Sequence, residues 1–310
     1  MKADLFRVCR IRQSILAVLF GSLAFSAAQA QTAAPWPSPA ISRRQQPRVV
    51  LVLGSGGARG LAHVGVLQVL EQSKIPIDLI VGTSAGSIAG ALYADNPNAA
   101  ALRDLMSNAT RKDFVNFSLL HILNGPITGK ALEQFLQTNM KANDFASLKI
   151  PFVAVATDLE KGEAYPITNG PIAPAVHASA ALPPYFHSVS LDGRTLVDGG
   201  VTAPLAVEVA RAYRPQVIIA VNVSGSLPPK MPGNSLSEVA RSYSITLDVL
   251  EEFNERDANV VITPDVGTNG TFDVSDKEGL FEAGSKAAIS ALPQIKKVLA
   301  EKGIVITNSR

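Results

Sequence analysis

The sequence predicts an α/β fold, a three-layer sandwich whose central, mostly parallel sheet is covered by helices on both faces. Three observations predict it. Short β-branched apolar runs alternate with stretches of helical period from residue 48 onward. The first of these runs is apolar at successive positions rather than at alternate ones, the pattern of a strand buried on both faces. The composition, 47% hydrophobic and 17% charged, supplies enough apolar side chain for a large core.

The elements follow in order. Arg48 to Leu53 reads as the first strand and runs into a glycine-rich loop. Leu61, Val64, Leu67 and Leu70 repeat along one side of a helix over Leu61–Gln72, which Pro76 prevents from continuing. Asp78–Val81 is a second strand, and the small, apolar Ala85–Ala94 suits a helix enclosed by its neighbours. Further strands are expected at Phe152–Thr157, Val217–Val223 and Val260–Thr263. Ser188–Leu191 and Arg194–Val197 flank Asp192-Gly193, a strong hairpin signal. Helices around Ser235–Glu252 and Lys277–Lys302 complete one domain, residues 48–310.

Ahead of that domain, Lys2, Arg7, Arg10 and Arg12 precede the apolar run Ile15–Phe25 and the small-residue sequence Ala28-Gln29-Ala30. This is the pattern of a cleavable export signal over residues 1–30. The apolar run is shorter than the ~20 residues that span a bilayer. Residues 31–47, with their prolines and small polar residues, read as a flexible leader. The protein is therefore expected in the periplasm or secreted.

Without residues 1–30 the formal charge changes from +2 to −1, so the basicity belongs to the signal. A nucleic-acid partner would need a basic patch in the mature domain and is not expected. The only cysteine, Cys9, leaves with the signal, which removes thiol nucleophiles, thiolate zinc sites and disulfides together. No H-E-x-x-H pattern is present, and neither a metal nor another cofactor is expected.

Three glycine-bearing motifs carry the candidate chemistry. Gly82-Thr83-Ser84-Ala85-Gly86 sets a serine between a strand and a helix, where a strained turn would project the hydroxyl outward. The competing reading is a serine that merely caps the helix. Gly54-Ser55-Gly56-Gly57-Ala58-Arg59-Gly60 offers consecutive backbone N–H groups and a helix N-terminus, suited to an oxyanion or a phosphate. It does not match the dinucleotide pattern, because the sixth position counted from Gly54 is Arg59. Asp198-Gly199-Gly200 stands where the hairpin's second strand ends.

A serine hydroxyl needs a base within hydrogen-bond reach. The four histidines are His63, His121, His177 and His187, and none follows Asp198 in the chain as the α/β-hydrolase order requires. Two arrangements stay open: Asp198 acting directly on Ser84, or a triad of Ser84, Asp158 and His187.

The glycine-rich loop, the G-x-S-x-G elbow and the later D-G-G together resemble the patatin-like phospholipases. Ala156-Thr157-Asp158-Leu159 and Ala178-Ser179-Ala180-Ala181-Leu182-Pro183 resemble blocks that lie between these motifs in that family, so the likeness covers roughly 48–223. The resemblance implies a patatin-like three-layer fold and a serine–aspartate dyad without histidine, carried by Ser84 and Asp198. It also implies an oxyanion site at Gly56, Gly57, Ala58 and Arg59, and a phospholipid, lysophospholipid or other lipid ester as substrate. One departure is visible in Val201-Thr202-Ala203-Pro204-Leu205, where relatives often have asparagine before the proline. The apolar segment Phe114–Leu123 would line an acyl groove or make peripheral contact with a bilayer. The remaining alternative is a non-catalytic module that binds lipid or an anion.

Overall fold

A computed structural model describes residues 46–116, 126–227 and 233–306, with only the backbone of Leu236. The expected export signal and the leader up to residue 45 therefore lie outside the described residues, as do Phe117 to Leu123 of the apolar segment and His121.

The strands are β1 (Val49–Leu53), β2 (Leu79–Thr83), β3 (Phe152–Asp158), β4 (Glu163–Ile167), β5 (Val189–Leu191), β6 (Arg194–Asp198), β7 (Val217–Val221) and β8 (Val260–Ile262). The helices are α1 (Ala62–Gln72), α2 (Ala85–Asp95), α3 (Ala99–Asn108), α4 (Arg111–Phe114) and α5 (Lys130–Asn139). They continue with α6 (Ile172–Ser179), α7 (Val207–Ala212), α8 (Ser235–Glu255) and α9 (Lys277–Glu301). A tight turn of 3₁₀ helix, Gly57–Leu61, precedes α1 and moves its start one residue past the expected Leu61.

Hydrogen bonding links the strands in the order β5-β6-β3-β2-β1-β7-β8, with β4 also on β3. The pairs from β3 through β8 are parallel, and β4, β6 and β5 add antiparallel partners on one flank. β4 was not legible in advance: Glu163-Ala164-Tyr165-Pro166-Ile167 starts exposed and holds a proline, which only an outer strand tolerates. The hairpin turn is as expected, with Asp192 and Gly193 both at positive φ.

Burial on both faces follows from the continuous apolar runs. Every residue of β1, β2, β3 and β7 is buried. Val49, Leu51 and Leu53 of β1, with Ile80 of β2, Ala154 of β3 and Ile219 of β7, share one core with α1, α2 and α9. The alternate residues Val50, Val52, Ile218 and Ala220 are buried outside that cluster, as are Val207, Val209 and Ala210 of α7. They face the other side of the sheet, where α7 lies on β1 and β7 and α8 lies on α7. Helices thus cover both faces of a mostly parallel sheet.

The registers fix where strand ends meet. Ala154 and Val155 pair with β4 on one side and β2 on the other, whereas Ala156 to Asp158 pair with β4 and β6. A strand has two edges, so β2 and β6 occupy the same edge of β3, approaching head-on from opposite directions.

Candidate active site

Ser84 follows the last residue of β2 and precedes α2. Its backbone sits at φ 53°, ψ −118°, a sparsely populated conformation for a non-glycine residue and the mark of a strained elbow. Close packing explains the flanking glycine: a Cβ on Gly86 would lie 2.1 Å from the Leu53 carbonyl oxygen. The helix-capping reading does not hold, because the Ser84 side chain makes no capping bond to α2. Instead its hydroxyl donates to Oδ2 of Asp198 at 2.7 Å. The Ser84 amide donates to the Ser179 hydroxyl at 3.0 Å, and that hydroxyl donates to the Val155 carbonyl. Ser179 thus ties the elbow to β3.

Asp198 ends β6 and is 2% exposed. Burial pushes its carboxyl up to about 6, against hydrogen bonds from Ser84 and the Gly200 amide that favour the anion. The Gly200 amide donates to Oδ1 at 2.7 Å, which leaves Oδ2 directed at the serine. The backbone is pinned on both sides: the Asp198 amide donates to the Ala181 carbonyl, and the Thr157 hydroxyl donates to the Asp198 carbonyl. The segment after it is tied to β2 and to the glycine-rich loop. The Thr83 hydroxyl donates to the Ala203 carbonyl, and the Ser55 amide to that of Pro204.

The glycine-rich loop is narrower in its chemistry than the sequence suggests. The Ala58 amide donates to the Thr271 carbonyl, and both the amide and Nε of Arg59 donate to the Gly56 carbonyl. Those two residues therefore clamp the loop rather than offering free backbone donors. The amides of Gly56 and Gly57 have no hydrogen-bond partner among the described residues, and both glycines line one cavity with Ser84 and Asp198. Gly57 adopts φ +58°, which glycine accepts without strain. His63 braces the start of the loop from below. It is fully buried, which pushes its pKa down to about 4, so the neutral ring donates Nε2–H to the Gly54 carbonyl at 2.9 Å. Helical periodicity alone marked His63 only as a residue of α1.

The acid of the alternative triad is engaged away from Ser84. Asp158 Oδ2 binds Arg194, and Oδ1 accepts the amides of Glu160 and Lys161, so the carboxylate closes the turn between β3 and β4. Of the other histidines the chain offers, His177 Nδ1 lies 2.7 Å from Glu133. The hydrogen-bond partner of the serine hydroxyl is a carboxylate.

Two cavities meet at Ser84. One, of about 130 Å³, is walled by apolar side chains including Val64, Ile88, Met106, Phe114 and Leu132. The other, about 540 Å³, is bounded by Arg59, Asp198 and the inner face of α8 and carries more polar surface. Gly57, Leu182 and Thr271 line both. Phe114 is thus a cavity wall, as its apolar segment suggested. Sequence reasoning missed Tyr243 and Glu251 of α8. Glu251 is 3% exposed, and burial pushes its carboxyl up to about 7. Among the described residues, no group of three or more His, Cys, Asp or Glu could hold a metal ion. No helix among them is long and apolar enough to cross a membrane.

Comparison with known proteins places this geometry in a family. The family model described as patatin-like phospholipase matches residues 51–211, just over half of the chain. An uncharacterized NTE family protein of Mycobacterium bovis is 33% identical over 229 residues, covering 69% of this chain and 62% of its own length. Patatin-like phospholipase domain-containing protein 6 of Homo sapiens is 32% identical over 181 residues, 56% of this chain and 13% of that protein. The chain thus spans less than two thirds of these relatives. Among solved structures, VipD from Legionella pneumophila aligns with a TM-score of 0.47 and 13% identity, over 83% of this chain and 67% of that one. On the match of the family model, the chain belongs to the patatin-like phospholipase family.

Proposed function

We propose that the chain is a serine lipid acyl hydrolase in which Ser84 is the nucleophile and Asp198 its general base. The observation that carries this reading is the 2.7 Å hydrogen bond from the Ser84 hydroxyl to Oδ2 of a buried Asp198. In the proposed reaction Asp198 takes the hydroxyl proton as Oγ attacks the ester carbonyl. The alkoxy group leaves with that proton, and water then cleaves the acyl-enzyme with Asp198 again as base. The open amides of Gly56 and Gly57 stabilise the oxyanion. A buried carboxyl near 6 is a stronger base than one in water, yet stays mostly ionised at neutral pH.

The two cavities support a division of the substrate at Ser84. The apolar one suits a fatty acyl chain, and the larger, more polar one suits the alcohol portion of a phospholipid or lysophospholipid. Peripheral contact with a bilayer belongs to the same proposal, since such an ester has to leave its bilayer to reach the apolar cavity. Export through residues 1–30 belongs to it as well, and a mature N-terminus at Gln31 would support that part.

A fluorophosphonate probe tests the reading, because only an activated serine reacts rapidly with it. Labelling confined to Ser84 and abolished in Ser84→Ala is the expected result. A wild-type protein that resists the probe would favour a non-catalytic lipid-binding module instead.

A further inference from the structure

The inner face of α8 presents Tyr243, Leu247 and Glu251 at a spacing of four residues, toward the larger cavity and the glycine-rich loop. Tyr243 and Leu247 line the cavity together with Ser84 and Asp198. The Tyr243 hydroxyl is buried and has no hydrogen-bond partner among the described residues. A buried hydroxyl without a partner is unfavourable by itself and recurs where a ligand supplies the missing contact. Its place relative to the chemistry is defined by Gly200. A Cβ built on that glycine would stand 3.0 Å from Asp198 Oδ1 and 3.4 Å from the Tyr243 hydroxyl oxygen. The phenol therefore lies on the Asp198 side of the nucleophile, in the wall of the cavity distinct from the apolar one.

The chemistry of a phenol in that position is narrow. Leu247 beside it contributes only apolar surface, and the Gly200 amide is already committed to Asp198. Tyr243 can donate one hydrogen bond to an acceptor oxygen on whatever fills the cavity. An ester whose alcohol portion is a bare aromatic ring offers no such oxygen there, whereas a glycerol or phosphate does. α8 also lies outside the residues matched by the family model, so nothing in that match assigns it a role.

We propose that Tyr243 is a specificity-determining residue, its hydroxyl donating to a glycerol or phosphate oxygen in the alcohol portion of the substrate while the acyl chain occupies the apolar cavity. The proposal rests on the hydrolase reading above.

The test compares wild type with Tyr243→Phe on three esters: phenyl butyrate, a monoacylglycerol and lysophosphatidylcholine. A site built to hydrogen-bond its substrate discriminates strongly when one partner is deleted. The expected result is a fall of about tenfold in kcat/KM on lysophosphatidylcholine, with phenyl butyrate within twofold of wild type. A parallel fall on monoacylglycerol assigns the acceptor to glycerol, and a fall on lysophosphatidylcholine alone assigns it to phosphate. The melting temperature is expected to stay level or rise, since the lost hydroxyl had no protein partner. Equal losses on all three esters, a lowered melting temperature with them, or no change on any would overturn the assignment. So would a wild type that turns over only phenyl butyrate. A wild type inactive on every ester would instead sink the hydrolase reading on which the assignment depends.

Discussion

Thr83 and Asp198 occupy successive positions along one edge of β3, Thr83 opposite Val155 and Asp198 opposite Ala156. β2 arrives parallel to β3 and β6 antiparallel to it, so the two strands abut end to end. The residue that follows Thr83 is Ser84, forced into a sharp turn just where the carboxylate emerges. Chain segments 114 residues apart thus share one hydrogen bond because a third strand holds both. Ser179, Thr157 and Ala181 then fix the two turns against that strand.

The first consequence concerns pH. Asp198 must be ionised to accept the serine proton, and burial holds its carboxyl near 6. The rate of ester hydrolysis is expected to rise with pH through about 6 and to level above it. A kcat/KM profile from pH 4.5 to 8.5 checks this, and a rate that falls over the same range would contradict it.

The second concerns stability. The folded-state pKa of Asp198 is raised above its ordinary value of 3.8, so the folded chain binds this proton more tightly than the unfolded one. The favourable contribution of the protonated form is complete below about 4 and is lost as pH rises through about 6. Asp198→Asn removes that loss. The variant is expected to gain stability over wild type progressively from pH 4 to 7, reaching about 1–3 kcal/mol. Urea unfolding at pH 4 and pH 7.5 measures it; an equal difference at both values would show that the carboxyl's titration is not responsible.

A third concerns the glycine-rich loop. A Cβ on Gly57 would stand 2.5 Å from the Thr271 carbonyl oxygen, and the residue sits at φ +58°. Gly57→Ala therefore has to shift the loop and with it one of the two open amides. Loss of a comparable oxyanion donor lowers kcat roughly 100-fold or more. Steady-state kinetics on a soluble ester, with circular dichroism as a folding control, gives the answer; unchanged kcat would move the oxyanion site elsewhere.

Much of this site was legible from residues alone. The buried strands announced themselves as β-branched runs because both faces of the sheet are covered, and the elbow was visible as a serine between glycines at a strand–helix junction. What the sequence could not reveal depends on partners far along the chain. β4 is an outer strand with a proline and an exposed start, so it lacks an apolar pattern. That the amides of Ala58 and Arg59 are taken while those of Gly56 and Gly57 stay open turns on the carbonyls of Thr271 and Gly56, which no local spacing encodes. Tyr243 and Glu251 looked like ordinary positions on an amphipathic helix. Only the seating of α8 over the larger cavity, for Tyr243, and against Ser55 of the glycine-rich loop, for Glu251, distinguishes them.

The most direct test of the proposed dyad is the hydrolysis of a short-chain p-nitrophenyl ester by wild type, Ser84→Ala, Asp198→Asn and His187→Gln, assayed together at pH 7.5. The account predicts that the first two variants lose at least about a thousandfold in kcat, as removal of a nucleophile or its base does. It predicts that the histidine variant stays within twofold of wild type. Substantial activity in Asp198→Asn, or a collapse in His187→Gln, would contradict it.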